Sequence, residues 1–271
     1  MPLSNAGAFS DSVCVVQLTD SHIHADAQQR LLGIDTLASL NAVIDLALQE
    51  CPQIDVVLAT GDITQDGAAA SYHRFIDAIA RMPQACHWIP GNHDDAALMA
   101  ELGREHDLNR AWVDLGAWRI VLLDSSVPGK VSGALDQSQW ARLDEALESA
   151  GERHVLVCLH HHPVSIGSDW MEPLGLDNAE QLLRRAAQDP RVKAILWGHI
   201  HQDFDRQHGH VRLLATPSTC VQFAPDSPDF ATDTQAPGYR WLHLHADGRL
   251  ETAVKRLAAG RFECVPDASG Y

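Results

Sequence analysis

The sequence predicts an α/β fold in a single domain, and three observations predict it. Short runs rich in Val, Ile and Leu recur at residues 13–18, 54–59, 86–89, 118–123, 154–159 and 192–197, the composition of strands buried on both faces. Amphipathic segments of helical period lie between several of them. Nothing in the composition marks a linker, and a chain of 271 residues and 29.6 kDa buries a large core without disulfides or metals to hold it. The domain therefore spans residues 1–271, with 1–10 and 263–271 as frayed tails.

The elements follow in order. After the strand at 13–18, residues 35–50 place Leu37, Leu40, Val43, Ile44, Ala47 and Leu48 at helical spacing, and Pro52 is the stop signal. Beyond the strands at 54–59 and 86–89, a helix runs near 95–101 with Asp94 as its N-cap. The strand at 118–123 precedes a helix over 136–150, read from Trp140, Leu143 and Leu147. The strand at 154–159 precedes a helix over 177–188, read from Leu182, Leu183 and Ala186, with Pro190 beyond it. Strands alternating with helices imply a largely parallel sheet. After residue 200 the texture changes: 211–215, 239–245 and 250–254 read as antiparallel strands that complete a second sheet, and 225–237 as a polar surface loop.

Charge and cysteine usage exclude several functions. With 20 basic and 36 acidic residues the net charge is −16, a poor match for nucleic acid and for an anionic membrane surface. The opening ten residues carry neither the basic start nor the apolar run of a secretory signal, and no apolar stretch is long enough to span a bilayer. The six cysteines are scattered, several inside apolar runs, and read as reduced thiols of a cytoplasmic protein.

The unusual feature is 16 histidines. Five strands are each followed by metal-ligand residue types: Asp20-Ser21-His22, Gly61-Asp62, Gly91-Asn92-His93-Asp94, His160-His161-His162-Pro163 and Gly198-His199-Ile200-His201. In open α/β sheets, sites form beyond the carboxyl ends of strands, so five such loops converge on one rim. Residues two apart in extended chain point the same way, which lets Asp20 with His22, and His199 with His201, face one site. Glycines 61, 91 and 198 permit tight turns and close backbone approach. Two Asp, one Asn and four His are too many for one tetrahedral ion and fit two ions about 3.5–4 Å apart sharing a carboxylate. An all N/O donor set suits Mn, Fe or Zn rather than Cu(I) or an iron–sulfur cluster.

In this order the five blocks resemble the signature blocks of the calcineurin-like metallophosphoesterases. The later stretches 213–223 and 236–240 are similar to the bacterial class III 3′,5′-cyclic nucleotide phosphodiesterases within that family. The resemblance implies a four-layer αββα sandwich of two mixed sheets flanked by helices. It implies two metal ions, Fe and/or Mn or else Zn, with Asp20, His22, Asp62 and His201 on the first and Asp62, Asn92, His161 and His199 on the second. It selects His161 as the histidine two before Pro163, with His160 and His162 turned away by alternation. It makes Asp62, Asn92 and His93 the catalytic residues, and His22, Asp62, Asn92, His93 and His201 the groups that meet substrate. The implied reaction is hydrolysis of 3′,5′-cyclic AMP to 5′-AMP by a bridging hydroxide, with His93 at the phosphate or leaving oxygen. The alternatives are another phosphodiester or a pyrophosphate as substrate, or a catalytically silent scaffold of the same fold. His208, His210, His243 and His245 read as surface residues, and Trp170 as a candidate wall of the pocket.

Overall fold

The computed structural model describes residues 12–51 and 53–265. The expected tail at 1–10, the stop signal Pro52 and residues 266–271 lie outside the described residues. Two mixed sheets stack face to face. The first contains β1 (Ser12–Leu18), β2 (Val56–Thr60) and β3 (Ala85–Ile89), mutually parallel, together with β10 (Gly238–His245) and β11 (Leu250–Arg256), in the order β11-β10-β1-β2-β3. The second contains β4 (Trp112–Leu115), β5 (Trp118–Leu122), β6 (His154–Cys158), β7 (Val192–Trp197), β8 (Phe204–His208) and β9 (Val211–Ala215), in the order β4-β5-β6-β7-β9-β8. Strands β5, β6, β7 and β9 run parallel, and β4 and β8 are antiparallel edges.

Period-two alternation builds the layers. Val15 and Leu58 of the first sheet face Ile120, Leu122, Leu156, Cys158 and Leu196 of the second. Their chain neighbours Val16, Val57 and Ala59 point outward onto α1 (Thr36–Glu50), α2 (Ala69–Ile79) and α3 (Ala96–Glu105). Val121, Val157 and Ile195 point outward onto α4 (Gln137–Glu148) and α5 (Ala179–Ala187). The central strands are thus apolar on both faces, and the result is the four-layer αββα sandwich.

The second sheet is not built by the last three strands. β9 joins β7 in parallel, whereas β10 pairs antiparallel with β1 and β11 antiparallel with β10, which closes the first sheet. The sandwich places β1 beside β10 because Leu242 and Leu244 complete the layer between the sheets. Among the described residues, α2, β4, β8 and a single 3-10 turn at Glu172–Leu174 escaped the sequence reading. Helix α2 was legible, since Tyr72, Phe75, Ile76 and Ile79 repeat at helical spacing and are buried. At the end of the described residues, Val265 donates its backbone N–H to Leu32 O at 2.9 Å, and Cys264 packs against the cluster of Leu31 and Phe223. Among the described residues, no helix is long and apolar enough to cross a membrane.

Candidate metal centre

The loops that follow β1, β2, β3, β6 and β7 meet at one end of the sandwich. Asp20, His22 and His201 each bring a ligand atom within 4.8 Å of the others, and so do Asp20, Asp62 and His160. His22 Nε2 lies 3.2 Å from His201 Nε2 and 3.8 Å from Asp62 Oδ2. His201 Nε2 lies 3.4 Å from Asp20 Oδ1. His160 Nε2 lies 3.3 Å from Asp62 Oδ2. Asp62 therefore faces both His22 and His160. His160, His161 and His199 form a further group, as do His22, Asp62 and His93.

The paired ligands do not converge through extended chain, as their spacing suggested. Asp20, His22, Asp62, His199 and His201 all adopt positive φ, between 45° and 67°. Left-handed backbone is costly for residues other than glycine and collects at functional sites. Hydrogen bonds hold the turns open: Asp20 N–H donates to Gly61 O at 3.0 Å and His22 N–H to Asp62 O at 2.9 Å, while His199 N–H donates to the Asp20 carboxylate at 3.0 Å. A Cβ on Gly91 would stand 2.1 Å from Asp62 Oδ1, and one on Gly198 the same distance from Thr19 Oγ1. Those two glycines are required by close approach.

Each imidazole is oriented by its other nitrogen. Carbonyl oxygens only accept, so Nδ1 of His160 donates to Thr60 O at 2.8 Å, Nδ1 of His201 to Val221 O at 2.9 Å and Nε2 of His199 to Leu174 O at 3.0 Å. His22 Nδ1 is held by Gln65 Oε1 at 2.6 Å. These contacts leave His160 Nε2, His201 Nε2, His199 Nδ1 and His22 Nε2 as the inward nitrogens, the arrangement expected of metal-bound histidine. Two shielded atoms, Asn92 Oδ1 and His160 Nε2, have no hydrogen-bond partner among the described residues. A cation would satisfy both.

The triple histidine departs from expectation. His160 is not turned away; its ring reaches Asp62. His161, the expected ligand, has both nitrogens engaged, Nδ1 with Ser125 Oγ at 2.8 Å and Nε2 with Val131 O at 3.0 Å. The cause is strand parity. Leu156 and Cys158 face the opposite sheet, and His160 continues their side across the sandwich toward the first sheet. His162 is buried and stacks on His199, ring centroids 5.6 Å apart. Of the other histidines, His208 and His210 are exposed, while His243 and His245 are half-buried.

Asp94 is not the cap of α3. Asp95 is, accepting from Ala97 N and Leu98 N. Asp94 lies inside, accepting from Ile63 N, Thr64 N, Gly91 N and the Tyr72 hydroxyl, all within 3.1 Å. It ties the Asp62 loop to the Asn92 loop. His93 donates its backbone N–H to Asp62 Oδ1 at 2.9 Å and sets its ring edge-on to His22.

Electrostatics follow from burial around one carboxylate. Burial holds His22 down to about 3, and burial reinforced by neighbouring imidazoles holds His199 well below the usual range. His161 is depressed in the same way. His160 is the exception: burial opposes its charge, but the Asp62 carboxylate outweighs this and lifts it to about 9. Asp62 is held well below the usual carboxylate range against its own burial, chiefly by His160. Burial and the Asp62 charge push Asp94 up to about 6. A cleft of about 450 Å³ opens beside Asn92 and His93, lined also by Asp66, Asp95, Ser126 and Pro128.

A four-layer αββα sandwich with this His/Asp/Asn rim defines a class, and the sequence agrees with it. Residues 15–203 match the calcineurin-like phosphoesterases, and the chain belongs to that family. It is 52% identical over 268 residues to the 3′,5′-cyclic adenosine monophosphate phosphodiesterase CpdA of Pseudomonas aeruginosa, covering 99% of this chain and 98% of that protein. It is 43% identical over 265 residues to the Vibrio vulnificus protein of the same name, covering 96% of each. Among solved structures, a dimetal phosphatase from Danio rerio shares the fold with a TM-score of 0.64 at 15% identity, over 91% of this chain and 99% of that one.

Proposed function

We propose that this protein hydrolyses 3′,5′-cyclic AMP to 5′-AMP at a dinuclear metal centre. The observation that carries the centre is Asp62, a single carboxylate facing His22 on one side and His160 on the other. The substrate follows from the named activity of relatives at 43–52% identity over nearly the whole chain.

Asp20, His22, Asp62 and His201 would hold one ion; Asp62, Asn92, His160 and His199 would hold the other, with His160 in the place the sequence assigned to His161. The unpartnered Asn92 Oδ1 and the turn of His160 Nε2 toward Asp62 support this donor set. Iron, manganese and zinc all accept such ligands. Bound there, two ions supply Lewis acidity toward the phosphate oxygens and a hydrolytic water that ionises near neutral pH, at about 7 against 15.7 in bulk. Their charge exceeds that of Asp20 and Asp62, which makes the rim locally cationic within an acidic protein and suits a phosphodiester anion.

The chain's own groups orient the reaction. His161 braces the second half of the site through Ser125 and Val131. Asp94 keeps Asp62 and Asn92 in register. His93, on the cleft wall, contacts the phosphate and delivers a proton to the 3′ oxygen as the phosphorus–oxygen bond breaks. Water adds to phosphorus, the 3′ hydroxyl is freed, and no bond to the protein forms. The unpaired cysteines fit the reducing interior of a cell.

The test is metal analysis of the purified protein coupled to hydrolysis of cyclic AMP and a panel of linear diesters and pyrophosphates. Two ions per chain and preferred turnover of cyclic AMP are expected. A preference for a linear diester by more than about tenfold, or about 1.4 kcal/mol, overturns the substrate; full turnover after exhaustive chelation overturns the metal centre.

A further inference from the structure

The end of the sandwich remote from the rim holds a second chemical cluster. Cys14 lies on β1 opposite His243 of β10, and the chain between Cys14 and Asp20 spans about 20 Å when extended. Cys51 closes the C-terminus of α1. Alternation puts Val16 against α1 and Cys14 on the same face of the sheet. The two thiols meet there. The Cys14 and Cys51 side chains hydrogen-bond to each other, and the Tyr239 hydroxyl stands 3.5 Å from Cys51 Sγ. The strand beneath them is fixed, since Cys14 N–H donates to the Asp55 carboxylate at 2.7 Å and Asp55 N–H donates to Cys14 O at 2.8 Å. Neither thiol is in a disulfide.

Two features separate this pair from the other cysteines. Both line one cavity of about 690 Å³, larger than the cleft beside Asn92, together with Glu50, Trp241, His243 and Lys255. Cys51 is half-buried at that cavity, with the buried Cys14 behind it. The second feature is electrostatic. The hydrogen bond from Cys14, helped by those from Tyr239 and by the Lys255 charge, outweighs burial and the Glu50 carboxylate and holds the Cys51 thiol down to about 6. Cys14, on the other side of that hydrogen bond, is pushed up by it and by burial. Burial likewise pushes up Cys86, Cys158 and Cys220, which leaves them inert. A thiolate open to a cavity with a second thiol in contact is the arrangement that a two-step oxidation needs.

We propose that Cys51 is a modification site for small hydroperoxides, with Cys14 as the thiol that resolves it. The Cys51 thiolate attacks one peroxide oxygen. A sulfur–oxygen bond forms, the oxygen–oxygen bond breaks, and the leaving oxygen takes a proton from solvent to depart as water or an alcohol. The Cys14 sulfur then attacks the sulfenic sulfur of Cys51, its proton leaves with the hydroxyl group as water, and a disulfide joins β1 to the end of α1. The dithiol gives up an electron pair and the peroxide is reduced by it. A thiol reductant restores both cysteines. The proposal stands apart from the cyclic AMP reading, because it uses no residue of the rim.

The test uses the full chain loaded with zinc, which has no redox chemistry of its own, and hydrogen peroxide in small excess as the probe. Peptide mapping of the wild type is expected to show a Cys14–Cys51 cross-link that dithiothreitol removes, with Cys86, Cys158 and Cys220 still reduced. In Cys14→Ser the sulfenic acid lacks its resolving partner, and dimedone is expected to label Cys51 at least about 10-fold faster than Cys264. Cys264 is the internal control, half-buried as well but with its thiol pushed up by burial. Alkylation of the wild type by iodoacetamide, expected to show the same preference for Cys51, decides the matter if Cys14→Ser does not fold. A disulfide between another pair, equal labelling of Cys51 and Cys264, or both thiols still reduced after exposure to peroxide would each overturn the proposal.

Discussion

His160→Gln is the most informative single change at the rim. Gln keeps a polar side chain of similar reach but carries no ionisable ring and no imidazole ligand. His160 is fully buried, its Nδ1 donates to Thr60 O and its Nε2 faces Asp62 at 3.3 Å. In the metal-free protein Asp62 lifts it from 6.5 to about 9. A raised histidine stabilises the fold fully below its unfolded value and loses that contribution as pH climbs through the folded one, so the window runs from pH 6.5 to about 9. The corresponding free energy is about 3 kcal/mol at most. Urea unfolding of chelator-treated wild type and variant across that window should show the stability difference between them shrinking as pH rises. Taking the difference isolates His160 from other groups that titrate there, Cys51 among them. In metal-loaded protein, His160→Gln should retain one ion per chain and lose at least about 100-fold in turnover. His161→Gln should retain both ions and lose about 10–100-fold, as for a group that only orients a ligand. A flat difference across the pH window, or loss of the second ion by His161→Gln with both kept by His160→Gln, would refute the assignment.

Other outcomes follow from the same geometry. Asp62→Asn should weaken both ions together and depress turnover by at least about 100-fold, because one carboxylate faces both halves; loss of only one ion in metal analysis would show that it is not shared. Tyr72→Phe removes the hydroxyl that donates to Asp94 and accepts from Asp95 N and should cost about 1 kcal/mol in denaturant titration, with both ions retained. Asp95→Ala should cost a similar amount, about 1 kcal/mol, by uncapping α3, with turnover little changed. Gly198→Ala should weaken metal binding, measured by calorimetry, since its Cβ would press on Thr19 Oγ1 and Asp20 Oδ2.

The linear chain carried much of this in readable form. Alternating apolar runs specified strands, and helical periods specified α1, α4 and α5, because burial imposes period two on a strand and near 3.6 on a helix. The ligand-type residues were legible because each cluster directly follows a run that had to be a strand, and strand ends are where loops meet. Three matters were not legible. Which way the triple histidine faces depends on the parity of β6 relative to a sheet that lies far away in sequence; Pro163 pointed to His161, whereas Leu156 and Cys158, facing that sheet, put His160 beside Asp62, which is why His160 is the ligand proposed above. Asp94 looked like a cap because a carboxylate before a helix usually is one, and its buried role appears only in the contacts it accepts from Ile63 N, Thr64 N, Gly91 N and Tyr72 of the unread α2. Positive φ at Asp20, His22, Asp62, His199 and His201 cannot be read from residue type, since such strain is tolerated only where the surrounding fold over-determines it.

Sequence alone thus determined the element types and the chemical identity of the rim, because both are local properties of composition and period. Tertiary structure decided which imidazole nitrogens point inward, which carboxylate lies between the two halves, and that Trp170, Phe223 and Phe230 stand beside His201. Those are relations between segments that lie apart in sequence, and they come into being only when the chain folds and its two sheets press their faces together.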